Sequence, residues 1–133
     1  MLYFFVDSAA VFSESEKRRF MAELDWPLTL KVKDQTYILI SRGFWSGAHY
    51  WCKVLKRWLG TNGVWLHENQ QNIGNACLIN KDPSSIAGPS LNTSWFFYSR
   101  AWTDDEDAFF LEKIQNIAKD HLEAKKQVMF AHL

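Results

Sequence analysis

The chain has little cysteine, proline or glycine. Cys52 and Cys77 are its only cysteines, too few for a disulfide framework or a four-ligand zinc site, so both read as reduced, buried thiols of a cytoplasmic protein. Three prolines and six glycines among 133 residues leave no collagen-like or low-complexity stretch. No apolar run approaches the roughly 20 residues of a membrane-spanning helix, and Leu2 to Val6 lacks both the basic start and the length of a secretory signal. Net charge is missing too. Fifteen Lys plus Arg balance fifteen Asp plus Glu, which removes any global pull toward nucleic acid or an anionic membrane surface.

What is abundant is aromatic surface. Seven Trp, ten Phe and four Tyr occur in a chain of single-domain length, more than one small core is expected to bury. The charge, neutral in sum, is uneven in sequence. Residues 17–57 hold nine basic and three acidic side chains, a segment charge of +6 that the remainder offsets. Such a chain can turn one signed face to a partner while remaining neutral overall.

Periodicity predicts an α+β domain spanning residues 1–133. Leu2 to Val6 reads as a buried central strand. Ser13 and Glu16 form a capping box for a helix from about Glu14 to Leu24, with Phe20, Met21 and Leu24 facing inward and Trp26-Pro27 ending it. Leu28 to Lys33 and Tyr37 to Ile40 read as a hairpin about Asp34-Gln35. Trp51, Val54, Leu55 and Trp58 trace an apolar helical stripe, capped by Ser46 and ended by Gly60. Val64 to His67, Ala76 to Ile79 and Trp95 to Tyr98 are further strands, the last two separated by a long loop. Thr103 and Glu106 cap a C-terminal helix whose stripe is Phe110, Ile114, Ile117, His121 and Leu122, with Lys125 and Lys126 near its end. The expected architecture is a mixed or antiparallel sheet with helices, starting as a ferredoxin-like βαββαβ unit and extended by two strands and the long helix.

Four local constellations carry chemistry under this reading. Arg42 to Gly47 would join a strand to a helix and aim backbone N–H groups at an anion, although it matches neither the Walker nor the dinucleotide spacing. His49 and Cys52, three apart on a helix, would set a base beside a thiol, and His67 with Glu68 would complete a metal set. Asp7 and the run Asp104 to Asp107 carry carboxylates, more simply explained in the second case by the positive end of a helix. Lys31, Lys33, Lys53, Lys56 and Arg57, with Arg42, offer phosphate contacts to a nucleic acid. None reaches a diagnostic spacing, so no cofactor or metal is expected and an enzyme is the weaker reading.

The surplus of aromatics and the charge split instead favour a protein-binding module. An inhibitor, immunity or anti-defence protein would act in this way, through Arg42, Trp45, Trp65, Arg100 and Trp102, since planar Trp and Arg side chains supply contact area at low entropic cost. Nucleic acid through the basic residues, an enzyme acting on a phosphorylated small molecule, and a second copy of the chain are the alternatives.

Overall fold

The computed structural model describes residues 1–6, 13–58 and 61–120. Seven strands form one antiparallel sheet: β1 (Leu2–Phe5), β2 (Thr29–Val32), β3 (Gln35–Trp45), β4 (Tyr50–Trp58), β5 (Thr61–His67), β6 (Cys77–Asn80) and β7 (Thr93–Arg100). Their order is β1-β7-β3-β4-β5-β6, with β2 paired to the first half of β3. Two helices, α1 (Glu14–Glu23) and α2 (Asp104–Asp120), accompany the sheet among the described residues.

The α+β class is therefore present, but every strand pair is antiparallel and no βαββαβ unit forms. The largest departure from the sequence expectation is residues 46–60. Their described part is the end of a hairpin and the strand β4, not a helix. The 3.6-residue stripe Trp51, Val54, Leu55 and Trp58 is accidental: Trp51, Lys53 and Leu55 lie on one face of β4, and Tyr50, Cys52 and Val54 on the other. Aromatic and β-branched side chains at these positions pack well on a pleated surface.

Three bulges shape the sheet. Ile40 is extra on β3 against β7, Ser94 is extra on β7 against β3, and Ile79 is extra on β6 against β5. Because the side-chain period of a strand is two, the Ile40 bulge brings Leu39 and Arg42, three apart, onto the same buried face.

That inner face is covered by irregular chain. Leu39, Val64, Ile86, Phe96 and Tyr98 form the buried core, and Leu2, Phe4, Trp26, Leu28, Leu55, Ile79 and Ala87 pack around it. Two crossing segments close it over. One is the stretch after α1, in which Trp26 lies 4.0 Å from the Phe96 ring. The other holds the 3-10 turn Pro83–Ile86, capped by Asp82, whose side chain accepts from the Ser84 amide. Gly88 donates to the Trp26 carbonyl at 2.8 Å and so joins the two segments. Neither helix lies along this core. α1 keeps its predicted capping box but buries only Met21, and Phe20 is exposed. α2, capped by Thr103 and Glu106, leaves Phe110 and Ile117 of the expected stripe exposed, together with Phe109 and Leu111, and Ile114 half-buried. His121, Leu122, Lys125 and Lys126 lie outside the described residues.

Arg42 is buried, 1 % exposed, with no carboxylate beside it among the described residues. Its Nη1 donates to the carbonyls of Ile86 and Gly88 at 3.1 and 2.7 Å, and its Nε and Nη2 donate to the Thr93 hydroxyl at 3.0 and 2.7 Å. The guanidinium also lies 5.4 Å from the Phe44 ring centroid and 5.1 Å from that of Phe96. Burial pushes it down to about 10, so it is still charged at neutral pH. Carbonyl dipoles and ring faces stand in for the missing anion.

Replacing this side chain orphans two buried carbonyls, each costing about 1–3 kcal/mol. Arg42→Leu is expected to lose about 3 kcal/mol in urea unfolding. Arg42→Lys, which restores charge but not the fork, should recover less than half of that.

Candidate binding face

The outer face of the sheet is aromatic, and among the described residues no helix is laid across it. Register places Tyr3 and Phe5 of β1 beside Phe97 and Trp95 of β7, and Gly43 and Trp45 of β3 beside Cys52 and Tyr50 of β4. Tyr3 lies 4.7 Å from Phe97, Phe97 lies 5.3 Å from Trp95, and Trp45 stacks on Tyr50 at 4.0 Å. Phe5 and Tyr50 are 62 % and 60 % exposed. Gly43 is what lets the surface lie flat. The Trp95 indole passes so close over it that a Cβ there would fall 1.9 Å from the ring.

Charge on the sheet is of one sign. No strand contains Asp or Glu, whereas Lys31, Arg42, Lys53, Lys56, Arg57 and Arg100 are all strand residues. Every described carboxylate side chain lies in a helix, turn or loop.

The residues expected from sequence are not brought together. Trp45 belongs to the outer face. Arg42 is buried on the inner face, and Trp65, opposite Val54 on the outer side, is buried with its indole N–H donating to the Lys56 carbonyl at 3.2 Å, so neither offers contact surface. Arg100 and Trp102 lie near the other end of β3, where Tyr37 pairs with Arg100, on the order of 25 Å from Trp45 at the usual strand rise. There Arg100 is ion-paired to Glu106 and Trp102 packs 4.6 Å from Phe110. The basic set is scattered as well. Lys31 and Lys33 are exposed at the β2–β3 turn, whereas Lys53 lies beside the inner Phe44 ring at 5.6 Å. Burial lowers both Lys53 and Lys56 from the usual lysine range, Arg42 adding to the effect on Lys53. The Arg57 side chain lies outside the described residues.

The Arg42 to Gly47 segment precedes no helix. It is the end of β3 and a hairpin turn in which the Ser46 amide donates to the His49 carbonyl, so the helix-terminus anion site has no basis. His49 and Cys52, three apart on an extended chain, point to opposite faces. His49 pairs with Glu68 at 2.8 Å and stacks on Trp51, which ties the hairpin turn to the end of β5. His67 stands opposite Cys52 in register. Burial raises the Cys52 thiol, which disfavours the thiolate a nucleophile needs. Among the described residues no group of three or more His, Cys, Asp or Glu converges as a metal set, and no helix is long and apolar enough to cross a membrane. Asp7 lies outside the described residues, and Asp104 to Asp107 form the first turn of α2.

Sequence reasoning missed Tyr3, Phe5, Tyr50, Trp95 and Phe97. The signal was available: Tyr3 and Phe5 alternate with Leu2 and Phe4, as Trp95 and Phe97 do with Phe96 and Tyr98. Comparison with protein-family models, curated proteins and solved structures finds no significant match to this chain.

Gly43→Ala is expected to expel Trp95 from its seat, with a loss of about 2 kcal/mol in stability and a changed near-UV circular dichroism spectrum. At the opposite end of the sheet, Arg100 and the Thr103 amide hold the Glu106 carboxyl down to about 2. Because the folded value lies below the ordinary 4.5, the stabilisation is fully present above pH 4.5 and is lost as pH falls toward 2. The first turn of α2 should fray over that window, and Glu106→Gln should reduce the pH dependence of its amide protection.

Proposed function

We propose that this protein is a binding module that docks a partner protein on the outer face of its sheet, through Tyr3, Phe5, Trp45, Tyr50, Trp95 and Phe97. The observation carrying this reading is a set of half-exposed and exposed rings on neighbouring strands, with no helix laid across them among the described residues. Contiguous apolar surface of this kind is what a monomeric protein ordinarily hides. Aromatic anchors are also the side chains that dominate interface energies. Their mutual stacking fixes rotamers in advance and lowers the entropic cost of association. Inhibitor, immunity and anti-defence roles are forms that this activity takes, and none requires a cofactor.

A second reading rests on the strands' lack of any carboxylate. Stacked open rings on a sheet without acidic groups suit single-stranded nucleic acid, whose bases stack and whose phosphates avoid negative charge. Lys31 and Lys56 would serve it. The separation of the remaining basic side chains places it second.

The immobilised chain is expected to retain one host protein from a lysate, with retention unaffected by nuclease. Tyr50→Ala and Phe5→Ala should each weaken that complex about thirty-fold, a hot-spot loss of about 2 kcal/mol, while leaving the thermal midpoint within a degree or two. Unchanged retention by both variants would remove the face from consideration. Material that disappears after nuclease would transfer support to nucleic acid, and self-association by sedimentation would identify a second copy as the occupant.

A further inference from the structure

The aromatic face runs at one end into a cavity of about 320 Å³ between α1, the β3–β4 turn and the start of β7. This volume falls within the range of small-molecule sites. Val6 and the buried Met21 give it an apolar floor, Phe5, Trp45 and Tyr50 an aromatic rim, and Ser46, Asn92 and Ser94 a polar wall. The side chains of Asn92 and Ser94 have no hydrogen-bond partner among the described residues.

Its charged side is α1. Lys17 and Arg18 both line the cavity, and neither has a carboxylate within ion-pair distance among the described residues, whereas the next residue, Arg19, is paired with Glu23. Glu14 is the single acidic residue of the lining among the described residues, so their net charge there is positive. Two cations without an ion-pair partner among the described residues, a stacked Trp–Tyr pair, an amide and two hydroxyls around one cavity form a donor set for a planar ring bearing a multi-oxygen anion. Trp45 and Tyr50 present a ring face for stacking. Lys17 and Arg18 supply charge-assisted donors to the oxygens.

We propose that this cavity is a binding site for a small aromatic phosphate, of which a nucleoside monophosphate is the simplest form. The site does not depend on the protein-docking reading, although the two share Phe5, Trp45 and Tyr50.

Calorimetric titration of the whole chain with adenosine, guanosine, cytidine and uridine 5′-monophosphates tests it, alongside the parent nucleosides and inorganic phosphate. At least one monophosphate is expected to bind ten-fold or more tighter than its nucleoside and than phosphate alone, and to raise the thermal midpoint. The double variant Lys17→Ala with Arg18→Ala, whose targets contribute nothing to the core, should lose at least ten-fold in affinity with an unchanged ligand-free midpoint. Tyr50→Phe should retain binding and Tyr50→Ala should lose it. No heat with any monophosphate at millimolar concentration would overturn the proposal, as would affinity indifferent to the double variant or matched by inorganic phosphate. The double variant leaves Tyr3, Trp95 and Phe97 intact, so retention of a protein partner by that variant separates failure here from failure of the docking face.

Discussion

A single buried cation organises this fold. Arg42 stands on β3, the strand with the most neighbours, and its donors reach the Ile86 and Gly88 carbonyls of one covering segment and the Thr93 hydroxyl at the start of β7. Those covering segments are mostly irregular, and the Ile86 and Gly88 carbonyls accept no backbone bond within their own segment. A buried carbonyl must be satisfied from outside, and a planar five-donor side chain can satisfy several such groups at once. Charge is what makes the bonds strong, and Phe44 and Phe96 shield it. The arrangement explains how a core can be closed without a helix laid over it.

Because the inner face is closed by loops, the helices are left to the ends of the sheet. α1 borders one end, where Met21 plugs the floor of the cavity. α2 leaves from the other, held at its start by Arg100, Thr103 and Glu106. The second face of the sheet stays open, and the aromatic surplus of the composition gathers there. Inner and outer faces thus divide two tasks: the inner buries a charge among carbonyls and rings, while the outer carries rings and few charges.

Local signals were readable in the sequence wherever a few neighbouring residues decide the structure. Ser13 with Glu16, and Thr103 with Glu106, each formed the reciprocal cap that their spacing implies. The β2–β3 hairpin and the strands at β5, β6 and β7 also lie where alternation and turn residues placed them. Segments whose two faces are both apolar were not readable. Tyr50 to Trp58 satisfies a helical stripe and a two-sided strand equally well, and only pairing with β3 and β5 decides between them. The first strand failed for a related reason: an unbroken apolar run suggests cover on both sides, yet β1 is an edge strand with Tyr3 and Phe5 turned outward. Arg42 was misplaced because its segment read as a loop between a strand and a helix, where a basic residue is ordinarily a surface group. Its carbonyl partners lie more than forty positions away, where no local pattern reaches.

The bulge at Ile40 has a bearing on how such a chain can change over time. The two faces of the sheet are kept apart only by a count of residues, and that one extra residue sets which side chains downstream point inward. Substitutions along β3 alter one side chain at a time. Removing Ile40 would leave Leu39, Ser41 and Arg42 opposite Tyr98, Phe97 and Phe96 in plain alternation, with Arg42 still inward, whereas an uncompensated loss elsewhere on the strand would turn over the side chains beyond it. The lineage of this protein is therefore free to vary in composition along the strand, and in length at the bulge alone.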